Sequence, residues 1–154
     1  AVVFGGESAF IQANRARALS GNMADLIPVS ADMSHLFVIK SALENGDIVS
    51  MPCDRLFGST KSFTVPFLGS PAQFPMGAFM MAAQLGVPMV SLYVMKEPGL
   101  MYHTICKTVE VDRSQYKTSR DIARALCQNY VRQLEEVVKA YPHQWFNFYK
   151  FWDN

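Results

Sequence analysis

Charged residues are scarce in this sequence, and their signs nearly cancel. Only 18% of the 154 residues are Asp, Glu, Lys or Arg, and the formal net charge is +1. Domains that bind nucleic acid carry a strong positive patch, so this balance argues against a nucleic acid as partner. Half of the residues are hydrophobic, which excludes a disordered chain and predicts a single α/β domain over residues 1–154.

Cysteine is also rare. The three cysteines, Cys53, Cys106 and Cys127, are odd in number and lie far apart in the sequence. This spacing fits neither a disulfide framework nor a structural metal site. We therefore expect free thiols in a reducing compartment, and no bound metal.

Several catalytic motifs are missing. The sequence contains no Gly-x-Ser-x-Gly elbow, no Gly-x-Gly-x-x-Gly and no P-loop, which counts against a serine hydrolase and a nucleotide-binding domain. The three histidines are His35 on a predicted helix, His103 in a predicted strand and His143 just after Pro142. We expect each of them to have a structural or surface role.

One long stretch has no charge at all. Residues 76–95 are uncharged over twenty positions, which is the length of a membrane span. Gly86, Val87 and Pro88 interrupt the stretch, however, and a short β-type run follows them. The pattern therefore favours a buried helix followed by a buried strand.

Hydrophobic periodicity predicts strands that alternate with helices. The predicted strands are residues 2–4, 26–29, 47–51, 62–68, 87–95 and 101–111, and the predicted helices are residues 7–19, 32–44, 75–85 and 118–141. The strand at 87–95 is apolar on both faces, as is typical of a central parallel strand. The expected fold class is α/β, with a mostly parallel β-sheet flanked by helices.

Two loops are candidate ligand sites, because ligands of open α/β sheets bind where loops leave the carboxyl ends of strands. In the first, Asp54 and Arg55 follow the predicted strand 47–51. One interpretation is an ion pair that shapes the loop. The other is a binding site in which Arg55 contacts a phosphate, while Asp54 orients that phosphate or a neighbouring group. The second runs from Gly69 to Gly77 and ends at a helix N-terminus, which is suited to an anion or is ordinary turn chemistry.

The eight residues before the C-terminal Asp153 and Asn154 are unusually aromatic. They include Trp145, Phe148 and Trp152. Such a tail either folds back over the sheet or lies at a membrane interface, where amphipathic rings are favoured. We expect the first, because Pro142 turns the chain directly after the last helix and the tail has no separate polar face.

Three stretches carry a family resemblance. They are ALENGDIVSMPCDRLFGS at residues 42–59, TVPFLGSPAQFPMGAFMMAAQLGVPMVSLYVMK at 64–96 and YPHQWFNFYKFW at 141–152. In their order and spacing they resemble the late acyltransferases of lipid A biosynthesis, within the lysophospholipid acyltransferase superfamily. The resemblance covers residues 35–152 and implies a glycerol-phosphate-acyltransferase-like fold.

The reaction implied by this resemblance is transfer of a fatty acyl group to a lipid hydroxyl. The donor would be a thioester of acyl carrier protein or coenzyme A, with no bound cofactor. The enzyme would contact the membrane peripherally, on the cytoplasmic side of the bacterial inner membrane. By the same resemblance Asp54, Arg55 and Gly58 lie near the acceptor or its phosphate, and Gly69 and Gly77 frame the edge of the pocket.

The general base of that family is not found in this sequence. In the family it is a histidine with Asp or Glu five positions later, which deprotonates the acceptor hydroxyl. The residues five positions after the three histidines are Lys40, Thr108 and Phe148, none of them acidic. The resemblance therefore implies an N-terminally truncated fold, a catalytic motif that precedes Ala1, and no activity of this chain alone.

Two other functions stay open. A non-catalytic lipid- or partner-binding module of the same fold would also lack the histidine, and a His-x-x-x-x-Asp/Glu motif directly upstream of Ala1 would favour the enzyme instead. An unrelated nucleotide-binding α/β domain is the third possibility, against which the missing glycine motifs count.

Overall fold

A computed structural model describes residues 1–3, 10, 13–14, 17, 25–29, 34–56 and 61–152. The chain divides into two compact units, Ala1–Pro52 and Cys53–Asn154. Each is described by itself below. The single domain over residues 1–154 stays a prediction.

The first unit holds a short parallel strand pair and one helix. Strand β1 (Val2–Val3) pairs with β2 (Ile27–Pro28), and the N–H of Val2 also donates to the carbonyl of Ser50 at 2.8 Å. Helix α1 (Ser34–Glu44) buries Ile39. The described residues at positions 10, 13, 14 and 17 are helical, as predicted, whereas the rest of 7–19 and the predicted cap Asp32 lie outside the described residues.

The predicted strand at 47–51 is wrong. Residues 47–51 have no regular secondary structure, and Ile48 is almost fully exposed. An alternating apolar pattern stabilises a strand only where one face is buried, and here the most apolar side chain gains no burial. Asp54 and Arg55 therefore do not follow a strand end.

The second unit begins with a tight hairpin. Strands β3 (Ser62–Phe67) and β4 (Ser70–Pro75) are antiparallel and joined by Leu68 and Gly69, both at positive φ. Alternate residues of this hairpin point into the core, which contains the buried side chains of Phe63, Val65, Phe67, Ala72 and Phe74. The predicted strand at 62–68 is thus confirmed, but the predicted loop between Gly69 and Gly77 is mostly a strand.

A helix and a second hairpin follow. Helix α2 (Gly77–Leu85) ends at Gly86, which adopts the left-handed conformation at φ 71° and donates its N–H to Ala82. Strands β5 (Val90–Lys96) and β6 (Tyr102–Thr108) are antiparallel, with Lys96 opposite Tyr102 at the turn. Gly99, at φ 80°, supplies the positive φ that this short turn needs.

Helix α3 (Ser119–Ala140) is the element that organises the second unit. Thr118 is its N-cap residue, because the Thr118 hydroxyl accepts the Asp121 N–H at 3.1 Å and donates to the Asp121 carboxylate at 2.6 Å. The buried face packs against α2 and β3, and its residues are Ala123, Ala125, Leu126, Cys127, Tyr130, Val131, Leu134, Val137 and Val138. The sequence prediction of this helix is confirmed.

The fold is mixed α/β, but a mostly parallel sheet is not what the structure shows. Of the three strand pairs among the described residues, only β1–β2 is parallel. Both pairs in the second unit are joined by turns of two to five residues, and connections of that length join antiparallel strands. The apolar run in β5 suggested burial on both faces, yet Val90, Leu92 and Val94 are exposed.

The aromatic tail covers part of the second unit's core. After a 3₁₀ turn at Pro142–Gln144, Trp145 and Phe151 pack on Phe67 with ring centroids 5.3 and 5.7 Å away. Phe151 also meets Phe74 at 5.7 Å and is only 3% exposed. This packing is the arrangement expected from the sequence. No helix in the described part of the chain is both long and apolar enough to cross a bilayer.

Candidate functional site

The first predicted site residues, Asp54 and Arg55, form a bidentate ion pair. Arg55 Nε donates to Asp54 Oδ1 at 3.2 Å, and Arg55 Nη2 donates to Asp54 Oδ2 at 2.8 Å. The Arg55 side chain is 36% exposed and that of Asp54 is 19% exposed. Paired nitrogens and oxygens in this fork geometry fix the plane of the guanidinium, so its outer edge has a defined direction. The pair is common to both interpretations of this loop.

Two tyrosines are electrostatically coupled to this ion pair. The hydrogen bond to Asp54 raises the pKa of Arg55 above its ordinary value, and the smallest contributions to the shift come from Tyr149 and Tyr130. Burial raises the pKa of Tyr149, an effect that the nearby Arg55 charge opposes. Burial also raises the pKa of Tyr130 well above its ordinary value. The pair therefore lies in a partly desolvated setting, where a charge-assisted contact is stronger than in water.

Neither tyrosine was a predicted site residue. Tyr130 lies in the amphipathic sequence of the last helix, and Tyr149 lies in the aromatic tail. Tyr93, in β5, is buried, and its hydroxyl has no hydrogen-bond partner among the described residues. The sequence feature that could have indicated these residues is the tyrosine itself. A tyrosine within an apolar run brings a hydroxyl that needs a hydrogen-bond partner.

Two thiols lie close to the same region but are not reactive groups. Cys53 and Cys127 are buried and free. Burial raises the pKa of each thiol to about 12, so both are protonated at neutral pH. Since the thiolate is the nucleophilic form, neither cysteine is suited to covalent catalysis.

Of the three predicted glycines, Gly69 and Gly77 can be located, and they are not brought together. Gly58 lies outside the described residues. Gly69 is in the turn before β4 and Gly77 begins α2 after it, so the six-residue strand Ser70–Pro75 separates them. A Cβ atom at Gly69 or Gly77 would meet nothing within 4 Å, which means that no neighbouring group requires a glycine there. That these glycines frame a pocket edge stays a prediction.

The histidines lie on separate elements. His35 is in α1, His103 in β6 and His143 in the 3₁₀ turn after α3. The Tyr141 hydroxyl donates to Glu97 at 2.8 Å and lies 3.4 Å from His103 Nδ1, on an exposed part of the second unit. Among the described residues no three His, Cys, Asp or Glu side chains are grouped as metal ligands would be.

A groove lies at the opposite end of β5 and β6 from their turn. It encloses about 320 Å³ between the residues that precede β5, those that follow β6, and Leu126 of α3. Arg113 lines it, but its guanidinium donates to the carbonyls of Ala82 and Ala83 at 3.1 and 3.2 Å and so closes the end of α2. The rest of the lining combines aliphatic side chains with the polar residues Thr108 and Glu110, so it does not favour an apolar ligand over a polar one.

Comparison with protein families identifies a family that matches this chain. The family model described as bacterial lipid A biosynthesis acyltransferase matches residues 12–154, which is nearly the whole chain. The match includes the Asp54–Arg55 pair, the second hairpin, α3 and the aromatic tail. No curated protein sequence matches the chain.

Proposed function

Since the chain belongs to the bacterial lipid A biosynthesis acyltransferase family, we propose that it is part of an enzyme that acylates a lipid hydroxyl. The acyl donor is a thioester of acyl carrier protein or coenzyme A. In the reaction the acceptor hydroxyl oxygen bonds to the thioester carbonyl carbon, and the carbon–sulfur bond breaks. The hydroxyl proton goes to a general base, and the thiolate leaves and is protonated.

The role proposed for Arg55 is to bind a phosphate of the lipid acceptor. The observation that carries this role is the bidentate, half-buried Asp54–Arg55 pair. Asp54 holds the guanidinium plane through Nε and Nη2, so that the guanidinium presents a fixed edge to an anion. Gly58 belongs to the same loop by resemblance to the family.

The general base is proposed to come from outside this chain. A histidine paired with an acid five positions later is the family's base, and His35, His103 and His143 all lack that acid. Buried Cys53 and Cys127 have pKa values raised to about 12, which leaves them without a thiolate to attack the thioester. The chain alone is therefore expected to bind acceptor without turning it over.

The site of action follows from the acceptor. A lipid with its acyl chains in a bilayer is reached only by a protein that contacts the membrane surface. We therefore propose peripheral attachment to the cytoplasmic side of the inner membrane.

A binding titration tests the role of Arg55 on the chain as it exists. The ligand is a soluble short-chain phosphatidic acid, titrated calorimetrically into wild type, Arg55→Ala and the matched control Arg120→Ala. Arg120 is exposed at the start of α3 and carries the same charge. A hydrogen bond to a charged group contributes about 1.5–3 kcal/mol, so Arg55→Ala should weaken binding on the order of ten- to a hundredfold. Equal, small losses in both variants would mean that the pair only shapes its loop.

A non-catalytic lipid-binding module is the alternative, and the missing histidine motif is the observation that favours it. A longer chain with a His-x-x-x-x-Asp/Glu segment joined ahead of Ala1 separates the two functions. Acyl transfer by that longer chain supports the enzyme. Phosphate-lipid binding with no transfer in the longer chain supports the module.

A further inference from the structure

Two exposed apolar segments lie at one end of the second unit. The first is the β5–β6 turn, in which Leu100 is 93% exposed and Met101 and Tyr102 are mostly exposed. The second is the outward side of the tail, where Phe148 is 91% exposed and Phe146 is mostly exposed. We call these five residues the apolar end surface. Neither Asp54 nor Arg55 is among them.

Specific hydrogen bonds hold the two segments at the same end. The Gln144 side chain accepts the Lys96 N–H at 2.7 Å and donates to the Lys96 carbonyl at 2.8 Å. Two residues further along the chain is Phe146, and Lys96 is paired with Tyr102 across the turn. The Tyr141 hydroxyl adds a bond to Glu97 at 2.8 Å. The turn and the tail are thus fixed together rather than exposed independently.

The tail divides its aromatic rings between the core and the solvent. Trp145 and Phe151 pack on Phe67, whereas Phe146 and Phe148 contact one another with ring centroids 6.3 Å apart and face outward. Large apolar side chains placed together on a surface usually mark a protein or membrane contact. Here the inward rings anchor the segment that displays the outward ones.

The charges at this end favour a lipid surface. In residues 96–103 and 141–152 the single acidic side chain is Glu97, and it accepts the Tyr141 hydroxyl. Lys96, in the last position of β5, and Lys150, in the tail, are both exposed. Lysines beside exposed aromatic and aliphatic side chains are typical of surfaces that bind anionic membranes, because each basic residue is attracted to the negative headgroups.

We propose that the apolar end surface inserts into an anionic lipid bilayer and holds the second unit at the membrane. The proposal rests on the proposed function, because an enzyme that acylates a membrane lipid must contact the membrane. It names the surface that makes the contact. Insertion places Leu100, Met101 and Phe148 among the acyl chains, with Lys96 and Lys150 at the headgroups.

Vesicle flotation tests the proposal on the full 154-residue chain. The probes are vesicles of phosphatidylglycerol mixed with phosphatidylcholine, and vesicles of phosphatidylcholine alone. The test variants are Leu100→Asp combined with Met101→Asp, and separately Phe148→Ser. The control is Val90→Asp, which puts an acidic side chain on an exposed aliphatic position at the other end of β5.

Wild type should bind the anionic vesicles more tightly than the neutral ones, and high salt should weaken that binding. Each large apolar side chain lost from the bilayer should weaken binding on the order of ten- to a hundredfold, while Val90→Asp should bind as wild type does. Circular dichroism confirms that the variants are folded, as is expected for exposed positions.

Three outcomes would overturn the proposal. They are absence of wild-type binding to either vesicle, equal loss in Val90→Asp, and full binding by both test variants. Self-association of wild type that the test variants abolish, without vesicle binding, would assign the surface to a protein contact instead. The vesicles contain no acyl donor and the variants leave Arg55 unchanged, so this experiment and the phosphatidic acid titration fail independently of each other.

Discussion

The Glu135 carboxylate accepts a hydrogen bond from the backbone N–H of Leu68 at 3.0 Å, joining residues that are 67 positions apart. The same carboxylate forms an ion pair with Lys139 one helical turn later. Helix α3 is thereby attached to the turn of the first hairpin. The turn itself is unusual, because the φ of Leu68 is 51°. Among the residues that the structure describes, no other non-glycine residue has a positive φ.

Replacing Leu68 by Asn should stabilise the second unit. A left-handed backbone costs a non-glycine residue roughly 1–2 kcal/mol, and Asn tolerates it better than Leu. Asn followed by Gly69 is also the preferred pair for a two-residue hairpin with two positive φ values. We expect a gain of about 0.5–1 kcal/mol in the free energy of unfolding, measured by urea denaturation.

The matched control for this change is Ser70→Asn, one strand residue beyond the turn. Asn is disfavoured in strands, so this variant should lose stability or keep it unchanged. A loss of stability in Leu68→Asn would show that the Leu68 side chain contributes more through packing than its backbone costs.

Glu135 should make stability depend on pH in the acid range. Its hydrogen bonds to Lys139 and to the Leu68 backbone lower the pKa of this carboxyl below the ordinary value of 4.5. A carboxyl whose pKa is depressed in the folded state stabilises the fold fully above its unfolded pKa. This contribution is lost as the pH falls from about 4.5 through the lower folded pKa.

Thermal melts between neutral and acid pH check this expectation. Glu135→Gln should melt lower than wild type at neutral pH and should approach wild type as the pH falls below the unfolded carboxyl pKa. Glu110→Gln is the control, because the Glu110 side chain is exposed beside the end of β6. A wild-type pH profile parallel to that of Glu135→Gln would contradict the assignment.

The buried tail ring should matter for folding, and the exposed one should not. Phe151→Ala should destabilise the second unit by about 3–5 kcal/mol, since Phe151 is almost fully buried between Phe67, Phe74 and Trp145. Phe148→Ala, three residues earlier in the same tail, should change stability by less than about 0.5 kcal/mol. Chain truncation after Tyr141 should cost at least as much as Phe151→Ala. An unchanged melting temperature after truncation would refute the covering role of the tail.

Thiol reactivity should distinguish the three cysteines. Cys106 is exposed, whereas Cys53 and Cys127 are buried with pKa values raised to about 12. A thiol reagent at mildly alkaline pH should therefore modify one cysteine per native chain, and denaturant should expose the other two. Mass spectrometry of the modified peptide identifies it, and Cys106→Ser should abolish the native reaction.

Acyl transfer assays test whether the chain lacks a general base. The 154-residue chain should show no turnover with acyl carrier protein or coenzyme A thioesters, because none of its histidines has an acid five positions later. Turnover that survives replacement of His35, His103 and His143 by Ala would mean that another group acts as the base. In a longer chain that supplies the motif, Arg55→Ala should reduce activity on the order of ten- to a hundredfold more than Arg120→Ala.

Local signals allowed good prediction of some elements. Helix α3 has its cap at Thr118, its first-turn acid at Asp121 and a continuous apolar stripe, all within its own sequence. The first hairpin was harder to predict. Pro66 and Pro71 each argue against a strand when taken singly, yet they lie opposite each other in this hairpin. The pair next to the turn, Phe67 and Ser70, is hydrogen-bonded, so Pro66 and Pro71 form a non-hydrogen-bonded pair and their missing N–H groups cost no bond in the ladder.

The candidate site was predictable only in its centre. Asp54 and Arg55 are adjacent in the sequence, and their types alone indicate an ion pair. Tyr130 and Tyr149 come from a helix and a tail far along the chain, so only the tertiary fold brings them to Arg55. The strand that was expected to position the pair is absent because Ile48 gains no burial.

The Gln144 side chain occupies both backbone hydrogen-bonding groups of Lys96, as a residue of a neighbouring strand would do. A primary amide has the same donor and acceptor as the peptide group, so this one side chain imitates the last rung of a β-ladder. Free strand edges are templates for association with other chains. Where β5 meets the tail this template is already filled, and edge-to-edge aggregation through Lys96 first requires the displacement of Gln144.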